Sequence, residues 1–122
     1  MCFDAQMAAY HGFAGCSSRH TQNLASATWV IYSPTDELIT SGGICLGPAA
    51  NNVVEYQVAI GLIIEALSSG ILCLVIHLDT QLVVSQLNGI YYIRDPMLLH
   101  LFRRIRLLER SFEFIRYFYV PR

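Results

Sequence analysis

The apolar positions of this chain change period along its length, and the changes mark out its elements. Met1-Cys2-Phe3 is a short apolar start that predicts a first strand ending at Asp4. Residues 5–26 are rich in Ala, Gly, Ser, Thr and Asn and predict a loop or a broken strand. Thr28-Trp29-Val30-Ile31-Tyr32 is β-branched and aromatic, a strand. Ser33-Pro34-Thr35-Asp36 is a turn, and residues 37–41 return, so 28–44 forms a hairpin. Asn51 or Asn52 caps a helix that runs to Ser68 and is closed by Gly70, with Glu55 in its first turn. Val54, Val58, Ile60, Leu62, Ile63 and Leu67 cover most of that helix, so it packs deeply. Gly61 inside it implies a close backbone approach.

Residues 71–78 are continuously apolar, the pattern of a buried central strand. Residues 80–87 form a short helix ended by Asn88-Gly89, and Pro96 starts another over 96–111. Leu98, Leu99, Phe102, Ile105 and Leu108 line one face of that helix; Arg103, Arg104, Arg106 and Arg110 lie mostly on the other. Residues 112–120 alternate aromatic and polar positions, a last strand. The order β, β, β, α, β, α, α, β over residues 1–122 makes an α/β domain with a mixed sheet.

Composition adds one expectation. Apolar residues make up 54% of the 122 and charged residues 14%, which is low for an ordinary soluble surface, so an exposed apolar face is expected. No apolar run is long enough to span a membrane, and the N-terminus lacks the pattern of a signal peptide, which predicts an intracellular protein of nucleus or cytoplasm. Cys2, Cys16, Cys45 and Cys73 have no C-x-x-C spacing, against zinc or redox motifs.

Charge is divided along the chain. There is no lysine, and seven of the eight arginines lie in residues 94–122. Residues 1–90 carry one arginine and six acids (−5); residues 91–122 carry seven arginines and three acids (+4). A basic segment beside an acidic one suits contact with phosphates, and Arg103 and Arg104 are its candidates.

The acids that matter most are Asp4, Glu55 and Asp79, placed at two strand ends and a helix start. Carboxylates gathered from different elements repel one another unless a cation sits between them. Oxygen ligands of this kind suit Mg²⁺ or Mn²⁺, which activate water and stabilise the leaving oxygen of a phosphodiester.

The residues around these acids resemble a known family. Phe3-Asp4-Ala5 is similar to the "Phe-Asp-Gly" of the type 1 ribonuclease H family, and Gly12-Phe13-Ala14-Gly15 to the "Gly-x-Ala-Gly" that follows it. Asn51-Asn52-Val53-Val54-Glu55-Tyr56 resembles "Thr-Asn-Asn-x-Ala-Glu-Tyr", and Asp79-Thr80-Gln81-Leu82-Val83 resembles the "Asp-Ser-x-Leu-Val" helix start. Tyr119-Val120-Pro121-Arg122 resembles "His-Val-Pro-Arg". The plant and retroelement members are the most similar.

The resemblance implies a ribonuclease H-like fold, a five-stranded mixed sheet with flanking helices. Asp4, Glu55 and Asp79 would hold Mg²⁺ or Mn²⁺ and cut the RNA strand of RNA–DNA hybrids. Asn51 and Asn52 would contact the RNA minor groove and its 2′-hydroxyls, with Gln81 near the substrate backbone. The sequence departs from the family at its end: no fourth acid and no final helix follow Pro121-Arg122. Weakened hydrolysis is one expectation. The alternative is an inactive module acting through protein contacts, a homodimer or another partner, made by the sheet face that a final helix would cover, near Phe114 and Phe118.

Overall fold

A computed structural model describes residues 8–19, 24–46 and 51–121. They form five strands and three helices: β1 (Tyr10–Arg19), β2 (Leu24–Tyr32), β3 (Leu38–Leu46), α1 (Asn51–Ser68), β4 (Cys73–Leu78), α2 (Gln81–Leu87), α3 (Pro96–Glu109) and β5 (Phe114–Tyr119). The strands make one sheet in the order β3-β2-β1-β4-β5. β3, β2 and β1 pair antiparallel, whereas β1–β4 and β4–β5 pair parallel, so the sheet is mixed as expected.

The first strand differs from the expectation. Gly12, Phe13, Ala14 and Gly15 were expected in a loop or broken strand, yet they lie in the middle of β1, at the centre of the sheet. Small residues have low intrinsic preference for strands, but β1 is hydrogen-bonded on both sides, and pairing overrides propensity. The strand expected over residues 1–3, with Asp4 at its end, lies outside the described residues.

Strand alternation separates the two faces of the sheet. On β1 a Cβ at Gly12 would stand 2.7 Å from Leu62 Cδ2, so this face turns toward α1. By register, Leu74, Ile76 and Leu78 share that face, and all three are fully buried. Val54, Tyr56, Val58, Leu62 and Ile63 of α1 complete the core. The other face carries His11 and Phe13 of β1, His77 of β4 and Phe118 of β5.

Local chemistry explains the element ends. The β2–β3 turn is held by Ser33, whose Oγ accepts from the amides of Thr35 and Glu37, with Asp36 at φ 64°. Gly70 at φ +77° ends α1, and the Ile71 amide donates back to the Ala66 carbonyl. Asp95 caps α3 by accepting from the amides of Met97 and Leu98, and Pro96 follows at the first helical position. Among the described residues, no helix is long and apolar enough to cross a membrane.

Candidate functional site

The orientation of α1 decides which acids meet. Gly61 lies against Trp29, the β2 partner of Ala14, and Leu62 lies against Gly12. One turn further on, Thr40 Oγ1 donates to Glu65 Oε1 at 3.2 Å; Thr40 pairs with Ile31, which pairs with Gly12. Rising numbers along α1 therefore run with falling numbers along β1. The N-terminal end of α1 lies over the C-terminal ends of β1 and its parallel partner β4. Glu55 belongs to that end of α1, and Asp79 is the first residue after β4.

A hydrogen bond joins the two segments: Tyr56 Oη donates to Gln86 Oε1 at 2.8 Å, tying the residue after Glu55 to the helix that follows Asp79. Both side chains are buried, so the contact fixes α1 against α2.

Glu55 was expected in the first turn of its helix, where a negative charge suits the dipole. It sits in the second turn, and its side chain is fully buried, 0% exposed. Helix geometry is the reason: the start of the helix is at Asn51, and one turn on, position 55 faces the sheet. Burial of a carboxylate is costly unless it is compensated, so this acid is placed for something other than capping.

Asp79 is half-buried and lines a cleft of about 310 Å³ on the sheet. The cleft is walled by Phe13 to Gly15 of β1, Thr28 to Val30 of β2, His77 to Asp79, and Val120 with Pro121. Asn52 is half-buried at the start of α1, beside Asn51, and Gln81 is exposed as the first residue of α2, so these three share the end of the sheet that carries Glu55 and Asp79. Asp4 lies outside the described residues.

The arginines are arranged differently. Arg103 and Arg104 are exposed on α3, which packs against α1 rather than on the cleft. Arg106, expected with them on the basic face, is structural. It pairs with Glu109 at 2.7 Å and donates to the Leu87 carbonyl, and Tyr117 Oη donates to the same Glu109 at 2.6 Å. This network ties α2, α3 and β5 together.

His77 lies on the sheet face away from α1, stacked on Phe13 (4.3 Å between centroids) and on Phe118 (6.1 Å). His77 Nε2 and His11 Nδ1 are 3.0 Å apart, a hydrogen bond whose donor depends on the tautomers of the two rings. Burial first, and His11 second, push the His77 pKa down. His11 was expected in a loop; only the strand register brings it beside His77.

Comparison with known proteins places this architecture. A family described as reverse transcriptase-like matches residues 12–122. Ribonuclease HI of Halobacterium salinarum is 31% identical over 112 residues, which is 92% of this chain and 56% of that protein. A bifunctional protein of Mycobacterium tuberculosis is 35% identical over 77 residues, 63% of this chain and 21% of its own length. The chain thus spans about half, or less, of the curated relatives it matches.

Among solved structures, RNase H1 of Halobacterium salinarum NRC-1 superposes with a TM-score of 0.85 at 31% identity, covering 93% of this chain and 86% of that one. The N-terminal RNase H domain of the same mycobacterial protein gives 0.86 at 28%, covering 94% and 84%. LC11-RNase H1, solved in complex with an RNA/DNA hybrid, gives 0.84 at 19% over 93% and 86%, a likeness of fold. Sheet order, parallel centre and family match agree, and the chain belongs to the type 1 ribonuclease H family, as a reverse transcriptase-like domain.

Proposed function

We propose that this domain engages RNA–DNA hybrids at the sheet end that carries Glu55 and Asp79, and that this end is built for metal-assisted hydrolysis of the RNA strand. The observation that carries the reading is the placement of a fully buried glutamate on α1 and of Asp79 at the same end of the parallel β1–β4 pair. The hybrid-bound relative of the same fold supports the substrate class.

Mg²⁺ or Mn²⁺ fits this donor set, since both residues offer hard carboxylate oxygens. A bound ion would supply charge to the phosphodiester oxygens. Glu55 and Asp79 would hold it; the third donor expected from the sequence, Asp4, lies outside the described residues. Asn51 and Asn52 read the 2′-hydroxyls in the minor groove, and Gln81 meets the backbone at the start of α2. Arg103 and Arg104 add long-range attraction for phosphates.

The test is fluorescence anisotropy with a labelled hybrid, a DNA duplex and an RNA duplex of one sequence, at fixed salt and in Ca²⁺. Tighter binding of the hybrid than of the DNA duplex, by about tenfold or about 1.4 kcal/mol, is expected. Equal affinity for hybrid and DNA would sink the reading.

A second reading is favoured by one feature. Phe13 and Phe118 are 39% and 43% exposed on the sheet face away from α1, where they flank His77. We propose that this apolar face pairs with a second copy of the chain, in keeping with the expected dimer. Sedimentation velocity at micromolar concentration should show a dimer that dissociates in the Phe118→Glu variant; a monomer in the parent protein would refute it.

A further inference from the structure

A carboxylate shares a cation with Asp79 only if its own strand or helix delivers it to the same end of the sheet. β1 is the strand that runs beside β4, parallel to it, and its register is fixed: Phe13 pairs with His77 and Ala14 with Leu78. The β1 residues that come level with Asp79 are therefore Ala14 and Gly15. Both line the cleft with Asp79, and a Cβ on Gly15 would stand 3.5 Å from Asp79 Oδ2. Ala14 is turned to the α1 side, the side of Glu55, and is 7% exposed. A side chain at Gly15 would touch Asp79, and one at Ala14 extends on the side of the helix that carries Glu55. The residues present bring only a methyl group and a hydrogen.

We infer that Ala14 occupies the position from which the central strand of this fold would deliver a metal-binding carboxylate, so that the site is held by Glu55 and Asp79 with one acid of the central strand replaced. Phe13-Ala14-Gly15 lies inside the matched family region, 12–122, and has the form of the "Phe-Asp-Gly" signature with alanine at its centre. Phe3-Asp4-Ala5 lies before it. Two carboxylates give a weaker cation site than three, because affinity rises with ligand charge. The domain then retains the surface for a hybrid while metal loading, and the hydrolysis that depends on it, is reduced. This consequence rests on the hybrid reading above; the metal site itself does not.

The experiment is a single restoring substitution, Ala14→Asp, with Ala14→Asn as the neutral control of the same shape. Mn²⁺ binding is measured without nucleic acid, by calorimetry and by the metal-dependent shift in melting temperature. Ala14→Asp should bind Mn²⁺ at least ~10-fold more tightly than the parent chain, and Ala14→Asn should not. The gain should vanish in Ala14→Asp/Asp79→Asn. If Ala14→Asp folds only with metal, that dependence is itself the expected gain.

Gly15→Asp carries the same test from the neighbouring position, should the first variant not fold at all. A parent chain that already binds Mn²⁺ as tightly as Ala14→Asp would overturn the assignment. So would folded Ala14→Asp and Gly15→Asp proteins with no gain. Hybrid binding is read separately by anisotropy, so its loss would count against the proposed function and not against the role of Ala14.

Discussion

Above pH 10 the folded protein should lose stability at up to about 2.7 kcal/mol per pH unit, through two buried tyrosines. Tyr56 is fully buried and Tyr117 is 4% exposed. Burial raises the pKa of the Tyr56 phenol, opposed by Arg106. Burial also raises that of Tyr117, helped by the hydrogen bond to Glu109 and by its charge, and opposed by Arg106. In the unfolded chain both phenols ionise near pH 10. Between that pH and the higher folded values, the unfolded state has released protons that the folded state keeps, so stability falls as pH rises. Each tyrosine contributes about 1.4 kcal/mol per unit in this window, and below pH 10 the contribution is fully present.

A domain with about 5–15 kcal/mol in total would unfold within a few units. Urea titrations at pH 8, 10 and 11 measure the slope. Tyr117→Phe should remove about half of it, and an unchanged slope in that variant would exclude the mechanism.

Trp29→Ala should cost about 3–5 kcal/mol, enough to leave the domain partly unfolded at 25 °C. The indole lies between two glycines from different elements. A Cβ at Gly42 of β3 would stand 2.8 Å from ring atoms Cε2 and Cη2, and a Cβ at Gly61 of α1 would stand 3.1 Å from Cζ3. The ring therefore fills the space that two absent side chains leave between sheet and helix, and its loss opens a cavity that the backbone cannot close. Trp29→Phe should cost far less. Trp29 Nε1 is buried with no hydrogen-bond partner among the described residues, and phenylalanine removes that burden while keeping most of the apolar contact. Gly42→Val should be destabilising by about 1–3 kcal/mol or more, since it drives a branched side chain into the ring. Chemical denaturation of the three variants measures the order, and a Trp29→Phe cost equal to that of Trp29→Ala would refute the packing account.

Much of the architecture is legible in the order of residues. The all-round apolar surface of residues 51–68 announces a buried helix, and α1 occupies those residues. Pro96 marks the start of α3 because a proline suits the first helical position. Gly61 signals a close approach, and Trp29 is what approaches. The motifs around Glu55 and Asp79 lie within single elements, so neighbouring residues carry them without reference to the fold.

The centre of the sheet is different. Residues 5–26 hold too many small residues for their own preferences to indicate a strand, and β1 exists because β2 and β4 pair with both of its edges. The motif read on Phe3-Asp4-Ala5 lies outside the described residues. For the described strand, register sets which side chains face α1, because a shift by one residue turns every side chain to the other face. From the register follow the pairing of His11 with His77 and the position of Ala14 and Gly15 level with Asp79. Local patterns of residues carry the family, the element order and the acids on α1 and after β4. The tertiary structure alone decided which residue of the central strand faces them, since that depends on hydrogen bonds between segments some sixty residues apart.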